Sequence, residues 1–272
     1  MNEQLIPAER RRRIREHLEV HQVVRSSALI ALLGASEATI RRDLHWLERQ
    51  GVVERTHGGA ILSQRMDAEP PYSSSALVHP AEKRRIGLAA AALLEEGDTL
   101  FLNSGTTATE VIRALRARPD LRQITVITNN VTAALEARDA PFEVILIGGS
   151  LRSPSNSVVG RFALETLQSV YASKAMIGVD GISLKYGCTT PIDSEAEVAR
   201  AMIRHTRGPV IVVADHSKWG VVSNFVVATL DEIHTLVTDD GLGLEARGGL
   251  QSRSVNVVLP PASGPDGRAL SG

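Results

Sequence analysis

Residues 35–62 read ASEATIRRDLHWLERQGVVERTHGGAIL, and the N-terminal fold turns on them. Ser36 is placed to cap a helix that carries Ile40, Leu44 and Leu47 at i, i+4 and i+7 on one face and ends at Gly51. At about 100° per residue the opposite face holds Ala38, Arg42 and His45, flanked by Thr39 and Arg41. Beyond Gly51, residues 52–55 and 60–62 are short strand candidates separated by Thr56-His57-Gly58-Gly59, which makes a hairpin, or wing. Upstream, residues 9–20 place Ile14 and Leu18 at helical spacing among many charges. Ser26 and Ser27 are placed to cap a second helix over 28–33, stopped by Gly34. Three helices and a hairpin define a winged helix-turn-helix over residues 1–62.

A helix enters the major groove when its exposed face offers donors without bulk, and Arg on a guanine edge is the commonest specific contact. On the third helix Arg41, Arg42 and His45 are the candidate base readers. The hydroxyls of Ser36 and Thr39 and the helix N-terminus suit phosphate contacts. A solvated charged face explains the same arginines, so the face alone leaves the function open. Asp43 sits on the flank, and a local ion pair with Arg15, Arg42 or Arg55 suits it better than a place beside phosphates.

The rest of the composition narrows the classes. With 272 residues, 43% of them hydrophobic and 22% charged, the chain can bury two cores. The net charge of −1 hides an asymmetry, since residues 1–65 hold eleven arginines against eight carboxylates and the remainder nineteen basic against twenty-three acidic residues. Only the head carries the positive charge that a polyanionic partner requires. Cys188 is the single cysteine, which excludes an intrachain disulfide and a thiolate zinc cage and fits a reducing cytosol. No apolar run approaches the ~20 residues that span a bilayer, and no N-terminal stretch has the layout of a signal peptide. A cytoplasmic chain with no metal, no cofactor and no membrane partner is expected.

Residues 63–80 lose all periodicity, and Pro70, Pro71, Ser73, Ser74, Ser75 and Pro80 mark them as a linker. Over 81–260, apolar runs at 99–102, 124–128, 143–147, 174–179, 209–214, 233–238 and 255–259 alternate with helical stretches at 81–94, 108–115, 131–137, 160–169 and 194–205. That alternation predicts an α/β domain with a mostly parallel sheet covered on both faces. The tail over 261–272, rich in Gly, Pro and Ser, reads as disordered.

The first strand of this domain runs into Asn103-Ser104-Gly105-Thr106-Thr107 and then a helix. A strand, a turn of Gly and hydroxyls and a helix N-terminus form an anion site, for which phosphate is the natural guest. Helix capping alone accounts for such a turn equally well. Ile147-Gly148-Gly149, Gly178-Val179-Asp180-Gly181 and Ala214-Asp215-His216-Ser217-Lys218 also sit at strand carboxyl ends, where open α/β sheets bind ligands. Lys218 offers a charge for phosphate and Asp180 an acceptor for sugar hydroxyls. An isolated Asp-Gly is more simply a turn.

The stretch from Ala35 to Leu62 resembles the N-terminal signature of the DeoR family of bacterial regulators, an S-x-x-T-I-R-R-D-L recognition helix followed by an h-G-G-A wing. Ser36, Thr39, Ile40, Arg41, Arg42, Asp43 and Leu44 match, as do His57, Gly58, Gly59 and Ala60. The resemblance implies that Arg41 and Arg42 contact operator DNA while the wing, with His57 and Gly58, helps at an adjacent groove or backbone. GTT, TNN, IGG, GVDGI, GCTTP…EAEV and ADHSKWG then occur in the order of the family's C-terminal sensor domain, to about residue 240. That domain is similar in fold to ribose-5-phosphate isomerase and sugar-phosphate deaminases. The resemblance implies Ser104, Gly105, Thr106, Thr107 and Lys218 around a phosphate, with Asp180, Asn129 and Glu195 nearer the sugar. Asn103 stands where the family usually has Asp, and Ala199 where it often has Lys. Lys83, in HPAEKRRIG, matches a family lysine without an assigned role.

Together these readings define a sequence-specific transcriptional regulator, expected to repress carbohydrate catabolism genes and to release operator DNA on binding a phosphorylated sugar or polyol. A homo-oligomer is expected, because one small DNA-reading head gives modest specificity. The competing class is a sugar-phosphate isomerase or deaminase with an appended DNA module, since Asp180, Glu195, Glu197 and His216 fall near the same strand ends. Such chemistry needs a base within about 3 Å of a carbon acid.

Overall fold

The computed structural model of the chain describes residues 5–261 apart from Gln22, His57, Asp67 and Arg122. The candidate wing contact His57 and the tail from 262, expected to be disordered, lie outside the described residues. The head consists of α1 (Pro7–His21), β1 (Val23–Arg25), α2 (Ser26–Leu33), α3 (Glu37–Arg49), β2 (Val53–Arg55) and β3 (Gly59–Leu62). Ser36 caps α3 by accepting the Thr39 N–H. Gly34 takes the left-handed conformation (φ 61°) that ends α2, whereas Ser26 and Ser27 lie inside α2 rather than capping it, and Arg25 holds the N-cap position. Ile14, Leu18, Leu29, Ile40, Leu44 and Val53 close a core between the three helices and the wing. β3 pairs with β2 on one side and with β1 on the other. Gly59 permits that second pairing, since a Cβ there would sit 1.9 Å from the Val24 carbonyl oxygen.

Asp43 supplies the electrostatic brace of the head. Its carboxylate, 1% exposed, accepts from Arg10 Nε at 2.5 Å and from Arg11 Nε at 2.8 Å. The Arg11 guanidinium also lies 4.4 Å over the Trp46 ring. The ion pair expected for Asp43 is thus made, with Arg10 and Arg11 of α1 as its partners instead of Arg15, Arg42 or Arg55, and it fixes α1 against α3.

The segment expected to be a linker is folded. It carries β4 (Gln64–Met66) and α4 (Tyr72–Leu77), and it is held by tertiary contacts rather than by local periodicity. Beyond it come α5 (Pro80–Ala91), β5 (Thr99–Leu102), α6 (Thr106–Arg116), β6 (Thr125–Thr128), α7 (Val131–Glu136), β7 (Glu143–Leu146), β8 (Ser150–Arg152), β9 (Ser157–Val159) and α8 (Arg161–Gln168). The chain continues through β10 (Lys174–Gly178), β11 (Gly181–Ser183), β12 (Gly187–Thr190), α9 (Asp193–Arg204), β13 (Val210–Val213), β14 (Val221–Ser223), β15 (Phe225–Ala228), β16 (Thr235–Val237), α10 (Leu244–Gln251) and β17 (Asn256–Val258).

The seven apolar runs of the sequence become one sheet in the order β17-β16-β13-β10-β5-β6-β7, parallel throughout. Alternate residues feed its two covered faces. Leu100, Leu102, Met176, Ile211 and Val213 join a core with α5 and α6, while Phe101, Ala175, Ile177, Val210 and Val212 join another with α8, α9 and α10. The chain runs outward from β5 through β6 to β7 and returns to place β10 on the other side of β5. That reversal opens a crevice beyond the carboxyl ends of β5 and β10. No helix among the described residues is long and apolar enough to cross a membrane.

Candidate functional site

On the head, α3 presents its polar face to solvent. Ala38, Arg41, Arg42 and His45 line one shallow groove together with Arg55 from β2. Ser36 and Thr39 are tied to each other, their hydroxyl oxygens 2.9 Å apart, and His45 Nδ1 lies 3.3 Å from Glu48 Oε2. Arg55 is the addition that helix periodicity could not supply, because it reaches the α3 face through the register of the wing. Gly58 does not join this groove. It lies beside Glu245 of α10, whose Oε1 would be 3.5 Å from a Cβ at that glycine and is 3.3 Å from Arg25 Nε.

The second site is a cavity of about 380 Å³ at the sheet reversal. Asn103, Ser104, Gly105, Thr106, Thr107, Asp180, Glu195 and Lys218 all line it. Gly105 holds φ 128° at the start of α6 with no side-chain cap, so the first-turn N–H groups are available to a guest. Asn103 clamps the crevice: its Nδ2 donates to the Gly178 carbonyl at 2.9 Å and its Oδ1 accepts the Gly178 N–H at 2.6 Å. A carboxylate at 103 could accept but not donate, so the amide suits this double bond and is largely spent on the backbone.

Lys218 ends the 3-10 turn His216–Lys218, with Nζ 3.8 Å from Asp180 Oδ1. Asp180 Oδ2 also accepts from Thr190 Oγ1 at 2.8 Å. Burial raises the Asp180 pKa, and Lys218 and Thr190 oppose that shift. At the other end Glu195 accepts from Ser157 Oγ at 2.8 Å and from Arg152 Nε at 3.3 Å. Arg152 also pairs with Glu69. Burial pushes the Glu69 pKa up, the Glu195 charge adds to this, and Arg152 counters it. Ala199 lines the cavity. One end of the cavity is therefore suited to an anion and the other to hydroxyl donors.

Three expected residues stand apart. Asn129, 1% exposed, donates to the Val158 carbonyl at 3.0 Å and does not line the cavity. Gly148 and Gly149 follow the edge strand β7 and are exposed. Gly149 has φ 151°, and a Cβ on it would lie 2.6 Å from the Val159 carbonyl oxygen, so it serves the closure of β8 on β9. The sequence placed all three at strand ends, but on the far side of the reversal from the crevice. In their stead the folded segment contributes Gln64, Met66, Glu69, Tyr72 and Ser75, α5 contributes Lys83, and Asp215 lines the wall near Lys218. Proline and serine content concealed the first group.

The segment also ties cavity to wing. β4 pairs with β14 in parallel, and Gln64 N–H donates to the Gly220 carbonyl at 2.9 Å. Gly220, two residues from Lys218, has φ 79°, and a Cβ there would be 2.9 Å from both Ile61 Cγ2 and the Leu62 carbonyl oxygen. Tyr72 N–H donates to the Pro154 carbonyl at 2.7 Å and its hydroxyl to Thr109 at 2.8 Å. On the wing, Glu54 accepts the Lys185 N–H at 2.7 Å, and burial raises its pKa against the hydrogen bonds of Ser183 and Lys185.

A basic helix-turn-helix head joined to an α/β domain with a cavity at its switch point defines a two-domain ligand-responsive transcription regulator. Residues 10–65 match the model of the DeoR-like helix-turn-helix domain and residues 78–240 that of the DeoR C terminal sensor domain, and the chain belongs to the DeoR family. It is 34% identical over 254 residues to the putative aga operon transcriptional repressor of Escherichia coli O157:H7, covering 93% of each chain. It is 35% identical over 254 residues to the HTH-type transcriptional regulator GlpR of Haloferax volcanii, covering 93% of this chain and 98% of that protein. Among solved structures, the ribose 5-phosphate isomerase of Methanocaldococcus jannaschii overlaps 50% of this chain and 53% of its own at a TM-score of 0.38 and 17% identity. The sequence relatives and the family models, rather than that partial overlap, establish the membership.

Proposed function

We propose that the chain represses carbohydrate catabolism genes by binding operator DNA through α3, and that a phosphorylated sugar or polyol in the cavity releases it. The observation that carries this reading is the convergence, in one cavity, of the uncapped α6 N-terminus and Lys218 with Asp180, Glu69 and Glu195. The first pair suits a phosphate and the carboxylates suit sugar hydroxyls. Arg41, Arg42 and His45 read base edges, Arg55 and the α3 N-terminus meet phosphates, and a homo-oligomer presents two heads to a symmetric operator. The isomerase alternative draws less support: His216 is engaged by Asp239 at 2.7 Å and is absent from the cavity wall, and Glu197 is absent from it as well.

The test is anisotropy titration of a selected, labelled operator with a panel of sugar and polyol phosphates. Wild type should release DNA, with a coupling of ~1–3 kcal/mol, and unphosphorylated sugars should be inert. Lys218→Ala should bind operator as wild type does and lose the response. Equal responses in the two proteins, or equal action of the unphosphorylated sugar, would refute the phosphate site. Sedimentation showing a monomer that binds operator tightly as one unit would remove the oligomer.

A further inference from the structure

β7 is an edge of the parallel sheet, and among the described residues nothing pairs with its outer side. Its inner side is bonded to the β6 segment: the Glu143 N–H donates to the Ile124 carbonyl and the Ile147 N–H to the Thr128 carbonyl. Backbone groups alternate in direction along a strand, so the N–H and C=O of Val144 and Leu146 point outward from the sheet. Such an edge is a template for another strand, and chains that keep it single blunt it with lysine, proline or a bulge. β7 reads Glu143-Val144-Ile145-Leu146 and carries none of these. Its apolar side chains are open to solvent instead, Ile145 at 40% and Leu146 at 44% exposure.

The flanks of the edge are apolar as well. Register with β6 sets Val144 beside Val126, on the sheet face covered by α5 and α6, and Ile145 beside Ile127, on the face covered by α8 and α9. α7 packs on the first face with Leu135 exposed, and α8 packs on the second with Phe162 exposed. Leu151 of β8, also exposed, continues the strip past Gly149. Together these side chains offer roughly 500 Å² of apolar surface, the size at which an exposed patch marks an interaction site. Two such strips face to face bury about 1,000 Å², which reaches the lower bound of a specific interface before the strand backbone is counted.

The occupant that fits is a second copy of this chain, because the edge is complementary to itself. A two-fold axis normal to the sheet at Ile145 sets β7 antiparallel to its mate. Val144 of each copy then exchanges both backbone hydrogen bonds with Leu146 of the other, and the two Ile145 side chains meet across the axis. The only charge on the strand, Glu143, falls opposite Ile147 of the second copy, so no like charges are opposed. The axis keeps each sheet face on its own side, so α7 meets α7 and α8 meets α8 over the junction. We propose that β7 is the pairing edge of a two-fold homodimer, which joins two seven-stranded sheets into one. This gives the homo-oligomer of the proposed function its surface, and it rests on that reading.

Disulfide trapping tests the register directly. The native Cys188 is buried, with its thiol pushed up to about 12, so an introduced exposed cysteine is the reactive one. In Ile145→Cys the two thiols face each other across the axis with Cα atoms ~4.5 Å apart, within disulfide reach. Mild oxidation should link most chains in pairs. Val144→Cys and Leu146→Cys should each link poorly alone and efficiently to each other when co-expressed. Ile145→Lys opposes two ammonium groups on the axis and should sediment at half the wild-type mass, its dissociation constant raised at least tenfold. Should that variant misfold, the cysteine variants decide the matter. An Ile145→Cys protein that keeps the wild-type mass yet fails to link overturns the β7 edge and leaves the homo-oligomer to another surface. A wild type that sediments as a monomer at operator-binding concentrations refutes the homo-oligomer and this interface together.

Discussion

Removing the Asp43 carboxylate should loosen the DNA-reading head without touching the sensor. In Asp43→Ala two charge-assisted hydrogen bonds are lost, from Arg10 and Arg11, each with a net contribution of ~1.5–3 kcal/mol. Both guanidinium groups keep something: Arg10 Nη1 still donates to the Leu5 carbonyl at 2.8 Å, and Arg11 still lies over Trp46. The expected loss is therefore near the lower end of the sum, about 3 kcal/mol. A head of this size is stable by only roughly 3–9 kcal/mol, so the loss is a large fraction. Hydrogen exchange of the α1 and α3 amides should accelerate about a hundredfold, operator affinity should fall, and binding of sugar or polyol phosphates should not change. Asp43→Asn, which keeps the shape without the charge, should fall between. Unchanged exchange in α1 and α3 of Asp43→Ala would show that the brace contributes nothing and that apolar packing alone fixes the helix.

Three further outcomes follow from the geometry. Arg42→Ala should reduce discrimination between operator and random DNA by roughly one to two orders of magnitude, whereas Arg55→Ala should weaken both alike and lower the salt slope by about one; competition binding at several salt concentrations checks both. Because burial raises the Glu54 pKa, the protonated form is favoured when the wing is docked, so its contribution is complete at low pH and is lost as pH rises through that elevated value. Exchange in β2 and β3 should accordingly quicken above the usual carboxylate range, and Glu54→Gln should flatten that dependence; an unaltered pH profile in the variant would assign the effect elsewhere. Gly220→Ala, at φ 79° with Ile61 and Leu62 in contact range, should displace β3 or β14 and reduce the effector response more than it reduces effector affinity, as read by calorimetry and operator anisotropy on the same preparation.

Much of this architecture is legible in the sequence because its signal is local. The seven strands of the parallel sheet are apolar runs, and the inner five, β5, β6, β10, β13 and β16, are buried on both faces, while the α3 face follows from helical spacing alone. The strap from Gln64 to Leu77 is not legible in this way. Pro70, Pro71 and the serines give it the composition of a linker, and its order comes from distant partners, Gly220, Pro154 and Arg152. For the same reason Glu69 and Tyr72 escaped notice as cavity residues. Asn129, Gly148 and Gly149 occupy strand ends like the true cavity residues do, and only the order of strands in the sheet tells which ends face the crevice. The pairing of Asn103 with Gly178 across two strands has no sequence signature.

The pairing of β4 with β14 bears on how such regulators can be recombined. A chimaera that joins a foreign head to this sensor at Pro70-Pro71 would discard Gln64, Met66 and Glu69, part of the cavity wall, and would leave β14 without β4. The natural seam lies earlier, at Ser63 between the wing and β4. Heads exchanged there inherit the recipient's segment whole, and their wings must still offer an Ile61-Leu62 surface against which Gly220 can close.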